Sequence, residues 1–162
     1  MKTLKWITFF MAVATMSLLT SCSKEDAEKI IDPTGTYKGK ITALTEKSDA
    51  TVVITKTDGN YSLLLEDLKL LAMGVEIVIG NVTITNVVIS NGQLSGGDVI
   101  PVIVTLPSSL LTMAGLEEPK VTLEVSLKPG YGVVGLNNLV FILVVDKVPV
   151  MTKVEVSFDG NK

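Results

Sequence analysis

From Gly35 onward, apolar and polar residues alternate with a period close to two, the signature of half-buried β-strands. Tyr37, Gly39 and Ile41 fall on one face of a first strand, with Lys38, Lys40 and Thr42 on the other. Val52 and Ile54 open a second strand, and Tyr61, Leu63 and Leu65 share one face of a third. Thr57-Asp58-Gly59-Asn60 joins the second to the third, and Asn91-Gly92 joins Val87–Ser90 to Gln93-Leu94; Asp-Gly and Asn-Gly are the pairs that tight hairpin turns select. Between these hairpins, Leu65 to Gly74 breaks the alternation with Glu66, Asp67 and Lys69 and is expected as a short helix or an irregular loop. Val75-Glu76-Val78 and Val82-Thr83-Ile84-Thr85 resume it, with Gly80-Asn81 expected as a turn or bulge between them.

Val99 to Leu106 is β-branched but contains Pro101, which cannot donate to a ladder and predicts an edge or bulged position. Pro107 to Gly115 predicts one or two helical turns, with Ser at the cap and Gly as the stop, able to plug one end of a barrel. Lys120 to Lys128 alternates most cleanly, with Val121, Leu123, Val125 and Leu127 inward. Pro129-Gly130-Tyr131-Gly132 reads as a turn. Leu139 to Val145 is apolar on both faces, hence either a central strand covered on both sides or an exposed apolar face. Thr152 to Asp159 closes the pattern with Val154, Val156 and Phe158 inward. About eight short strands joined mainly by tight turns predict an all-β fold, an antiparallel meander that closes into a small barrel or folds into a β-sandwich.

The residues before Gly35 follow different rules. Lys2 and Lys5 precede an apolar run from Trp6 to Leu19, and small residues follow, the layout of a secretory signal peptide over residues 1–21. Fourteen residues are too few for a spanning helix, which needs about 20. Leu19-Thr20-Ser21-Cys22 resembles a bacterial lipobox, a large apolar residue and two small ones before a cysteine. That resemblance implies signal peptidase recognition through Leu19, Thr20 and Ser21, cleavage before Cys22, and diacylglycerol and acyl chains on Cys22. Two or more chains hold a protein at a membrane far more firmly than one. Cys22 is the single cysteine, so it has no disulfide partner within the chain. Ser23-Lys24-Glu25-Asp26 is similar to the export signal of Bacteroidota lipoproteins, with Lys24, Glu25 and Asp26 directing display on the outer face of the outer membrane; the alternative is a polar spacer on the periplasm-facing leaflet. Residues 22–33 read as a lipidated tether, ended by Asp32-Pro33, and 34–162 as the domain.

Removing residues 1–21 takes Lys2 and Lys5 and no acidic residue, so 12 lysines face 17 carboxylates and the formal charge moves from -3 to -5. There is no arginine, and Trp6 leaves with the signal. An acidic, arginine-free chain argues against a nucleic-acid partner.

The domain itself is similar to the calycin-like β-barrel domains of Bacteroidota lipoproteins, distant relatives of lipocalins. Gly35-Thr36-Tyr37-Lys38-Gly39, Lys56-Thr57-Asp58-Gly59-Asn60-Tyr61 and Val154-Glu155-Val156-Ser157-Phe158-Asp159-Gly160 carry the likeness. Gly35-Thr36-Tyr37 occupies the place of the lipocalin Gly-x-Trp signature, while the arginine that packs on that tryptophan has no counterpart.

Chemistry is excluded more readily than assigned. Without histidine the chain lacks the usual general base near neutral pH and the commonest zinc ligand. Lipid on Cys22 leaves no thiol nucleophile. Glu66-Asp67 and Glu117-Glu118 are neighbours, and neighbours in a strand point to opposite faces, so neither pair automatically makes an acid and base dyad; both read as solvated loop charge. Asp58-Gly59-Asn60 lacks the further spaced acids of a calcium loop. No cofactor and no metal site is expected. The expectation is a non-catalytic lipoprotein. In one form it binds a small apolar ligand inside the barrel, with Tyr37, Leu63, Val125 and Phe141 as candidate lining residues. In the other it is a structural or adhesive envelope protein with a filled barrel and a protein partner.

Overall fold

A computed structural model describes residues 32–162, which are all-β apart from one short helix. The signal-peptide, lipidation and export readings fall on residues 1–31 and lie outside the described residues. Ten strands run in order: β1 (Gly35–Ala43), β2 (Glu46–Thr57), β3 (Asn60–Ala72), β4 (Val75–Ser90), β5 (Gln93–Gly96), β6 (Ile100–Thr105), β7 (Lys120–Leu127), β8 (Gly132–Val134), β9 (Asn138–Val148) and β10 (Thr152–Asn161). One short helix, α1 (Ser108–Ala114), links β6 to β7.

All the pairings are antiparallel, and the order β10-β1-β2-β3-β4-β5-β8-β9 closes on itself because β9 also pairs with β10. Strand β9 is the hub of this ring. One edge pairs with β10 from Asn138 to Val148; the other is divided, Leu139 and Val140 meeting β8 and Leu143 to Asp146 meeting β7. The wall is therefore completed at one end of the barrel by β5 and β8 and at the other by β6 and β7. Strand β6 ends the sheet order, where Pro101 is tolerated as expected, and the Gly97 and Asp98 amides bridge toward β4 by donating to the carbonyls of Asn86 (3.2 Å) and Thr85 (2.9 Å).

The segment Leu65 to Gly74 is neither helix nor loop, because most of it belongs to β3. Leu63 and Leu65 point inward, then Leu68 and Leu70, with Glu66 and Asp67 both outside. A bulge accounts for the change of parity. Asp67 takes a left-handed φ of 50°, and its amide donates to the Asn81 side-chain oxygen at 3.0 Å. On the partner strand Gly80 (φ 83°) shifts the buried set from Ile77 and Ile79 to Val82 and Ile84, and Asn86 (φ 57°) shifts it again to Val87. The three expected segments Val75–Val78, Val82–Thr85 and Val87–Ser90 are thus one strand of 16 residues, with Gly80 at the expected bulge.

Three smaller expectations also change. Pro107, in extended conformation, holds the cap position of α1 in place of Ser108, with no side-chain cap bond; Gly115 ends the helix at φ 65° as expected, and Leu110 is fully buried. Gly132, read as part of a turn, begins the three-residue β8. Strand β9 combines both alternatives. Leu139, Phe141, Leu143 and Val145 fill the interior; on the outer face Val140 is exposed beside Val133, yet Val144 is buried. Glu155 on β10, the register partner of Val144, accepts from Lys128 just past β7 at 2.8 Å, and that hydrogen bond is the main cause of the raised Lys128 pKa.

Candidate functional site

The four residues expected to line a ligand cavity come together inside the barrel. Tyr37 on β1, Leu63 on β3, Val125 on β7 and Phe141 on β9 each have 0 % accessible surface. A side chain bordering a void large enough for water would present surface to it, so no such void touches any of the four. Phe141 stacks on Phe158 at 5.2 Å between ring centroids, and Leu65, Ile77, Ile84, Leu123, Leu139 and Val156 share the same apolar core. Within the described residues no buried side-chain nitrogen or oxygen lacks a partner, and the buried residues include no charged group. Such an interior packs. Among the described residues it offers no unpaired polar side chain to orient a ligand.

The barrel is closed where the chain enters it. Asp32 accepts from the Thr34 amide (3.0 Å) and hydroxyl (2.8 Å), and these bonds, the hydroxyl's first, hold its carboxyl below the usual range. Pro33 is buried, and its carbonyl accepts from the Tyr37 hydroxyl at 2.8 Å. Burial raises the Tyr37 phenol above its ordinary value, with the nearby Asp32 charge adding to the effect. Lys162, the last residue, donates its backbone N–H to Asn137 and its ammonium to the Asp32 carbonyl (2.9 Å), 5.3 Å from the centre of the Tyr37 ring. A cation does therefore lie over the aromatic residue of the Gly35-Thr36-Tyr37 motif, supplied by a lysine where an arginine was missing.

Outside the barrel a cleft of about 500 Å³ runs along β1, β2 and β3, lined by Lys38, Lys40, Asp49, Glu66 and Asp67 among others. Lys40 binds Asp49 at 2.6 Å, and this bond is the main cause of the lowered Asp49 pKa. Glu66 and Asp67 face the same cleft, contrary to the alternation argument, because the bulge at Asp67 turns both outward. Both are exposed, in a cleft open to solvent. Glu117 and Glu118 are exposed in the loop after α1, and Asp58-Gly59 forms a plain hairpin turn with φ 51° and 90°. Among the described residues no cluster of three or more histidine, cysteine or acidic side chains could hold a metal ion, and no helix is long and apolar enough to cross a membrane.

Comparison with known proteins gave no match: no family model, no curated relative and no solved structure is similar to this chain at a significant level.

Proposed function

We propose that the protein is a non-catalytic lipoprotein of the outer membrane, held by lipid on Cys22 and displayed at the cell surface through Lys24, Glu25 and Asp26, whose barrel works by its outer surface. The observation that carries the outer-surface reading is the filled interior. Small-ligand sites enclose about 300–1,000 Å³, whereas Tyr37, Leu63, Val125 and Phe141 leave no water-sized space beside them. The anchoring part rests on Leu19-Thr20-Ser21-Cys22 and the charged residues after it. A calycin-like ancestry agrees with the closed antiparallel ring and with the Lys162 cation over Tyr37.

Titration of the mature chain with a fluorescent fatty acid tests the reading of the interior. No saturable binding is expected; a one-to-one site would restore the small-ligand alternative. Anchoring is tested by feeding cells an alkynyl fatty acid, which should label the protein and fail to label Cys22→Ala. Replacing Lys24, Glu25 and Asp26 together by Ala should leave the label but hide the protein from protease added to intact cells. Digestion of that variant would refute surface export through these residues.

A further inference from the structure

Register places four connections at the end of the barrel opposite the Asp32 entrance: the β1–β2, β3–β4 and β9–β10 turns and the loop carrying α1. Ala43 pairs with both Glu46 and Val156, Ala72 pairs with Val75, and Thr105 pairs with Lys120. Each connection carries an exposed apolar side chain. Leu44 is 50 % exposed, Met73 56 %, Val150 49 %, Met113 49 % and Leu116 39 %.

Three of these residues also sit in backbone that disfavours them. Leu44 (φ 57°), Met73 (φ 52°) and Val150 (φ 74°) are left-handed, a conformation that costs ordinary side chains energy and is rarest for β-branched ones. Strands of the same sheet turn at the other end with Asp58-Gly59 and Asn91-Gly92, residues suited to that geometry. Large apolar residues held at turn tips against local preference and left uncovered mark a surface retained for contact.

Area and charge indicate the occupant. Five half-exposed side chains present on the order of 400 Å² of apolar surface, near the ~450–500 Å² that the apolar share of an ~800 Å² interface face amounts to. The turns forming this end and the strand residues beside them, residues 44–47, 73–76, 115–120 and 147–153, hold Glu46, Glu76, Glu117 and Glu118 against Lys47, Lys120, Lys147 and Lys153, four of each sign, with Glu76 paired to Lys69 and Lys147 to Glu124 within the chain. Residues 32–162 as a whole hold 10 lysines and 14 acids, a net charge of 10 - 14 = -4. Two copies of an acidic domain repel least where each is neutral, and a mixed-sign rim lets the lysines of one copy face the carboxylates of the other. An anionic bilayer would instead favour a basic rim.

We infer that this end is a self-association surface, where two copies of the chain meet rim to rim. The inference rests on the outer-surface reading above and names the partner. Asp32 lies at the opposite end, so a rim-to-rim pair holds its two Asp32 residues at the far ends of the assembly.

The test is sedimentation velocity on the chain from residue 22 carrying Cys22→Ser, from about 1 to 200 µM. A dimer is expected within this range, and Leu44→Asn/Met73→Asn/Val150→Asn should lose it at least tenfold in dissociation constant while melting at a higher temperature. Asn accepts the left-handed turn positions. A second variant, Met113→Gln/Leu116→Gln, leaves the turns alone and should also weaken the dimer. A monomer across the whole range, or a dimer that survives both variants, overturns the inference. So does a monomer that floats with phosphatidylethanolamine and phosphatidylglycerol vesicles, which would assign the rim to lipid. None of these outcomes bears on whether the interior binds a fatty acid, so the two readings fail separately.

Discussion

Phe141→Ala measures how completely the barrel is filled. The ring has no accessible surface, lies on the hub strand β9, pairs across to Phe158 on β10 and stacks on it at 5.2 Å with the planes 26° apart. Truncating a buried Phe to Ala costs about 3–5 kcal/mol when its surroundings do not collapse, and the lost aromatic pair accounts for about 0.5–1.5 of that. A unit of 131 residues, from Asp32 to Lys162, carries roughly 7–20 kcal/mol of stability, so the variant should still fold. At about 4 °C per kcal/mol for this size, its melting temperature should fall by on the order of 12–20 °C. Urea denaturation followed by circular dichroism gives the free-energy difference, and scanning calorimetry the temperature. The variant should also contain a dry apolar cavity, so benzene at millimolar concentration should raise its melting temperature and leave the parent unchanged. A loss below about 1 kcal/mol, or an equal benzene effect on the parent, would mean that the barrel already had room and would refute the packing argument.

Other positions test the closure of the ring. Gly39 faces Gly160 across the β1–β10 ladder, and a methyl group there would run into the backbone at Asp159 and Gly160, so Gly39→Ala should cost on the order of 1–3 kcal/mol or more by urea denaturation; wild-type stability would refute the close approach of these strands. Tyr37→Phe leaves the buried Pro33 carbonyl without its donor and should cost about 1–3 kcal/mol. Because burial raises the Tyr37 pKa, its neutral form is favoured in the folded state. Its stabilisation is full below the ordinary phenol value of 10.0 and is lost as pH rises through the raised value, so stability curves of parent and Tyr37→Phe should converge at high pH; parallel curves would contradict this. Lys162→Met should remove the cation over Tyr37 and the bond to the Asp32 carbonyl, and faster amide exchange at Thr34 and Gly35 with an unchanged β4–β5 hairpin is the expected readout.

Alternation and turn chemistry made most of this fold legible from the chain. Strands β1, β7 and β10 keep one parity throughout their buried residues, and Asp58-Gly59 and Asn91-Gly92 turn where such pairs should. Parity changes inside β3 and β4 hide the continuity of those strands. Asp67 and Asn86 carry left-handed residues mid-strand, and an extra outward residue there looks like the end of an element when only neighbours along the chain are compared. Strand β8 was hidden for another reason. Three residues between Gly132 and Val134 are too few to show a period, and they are strand because β5 and β9 flank them. The candidate interior residues were found correctly as inward-facing, but inward position does not say whether space remains, since that depends on how closely strands such as β1 and β10 approach. Lys162 over Tyr37 joins residues at the two ends of the domain, and no local pattern links them.

Native mass spectrometry of the protein, purified from its own envelope and released gently from detergent, tests the proposal that the barrel is occupied by its own side chains and acts from outside. The account predicts the mass of the chain from Cys22 onward plus covalent lipid, singly or as a multiple for the associated form. A further small molecule that stays bound to each chain at low collision energy and leaves at high energy would contradict it.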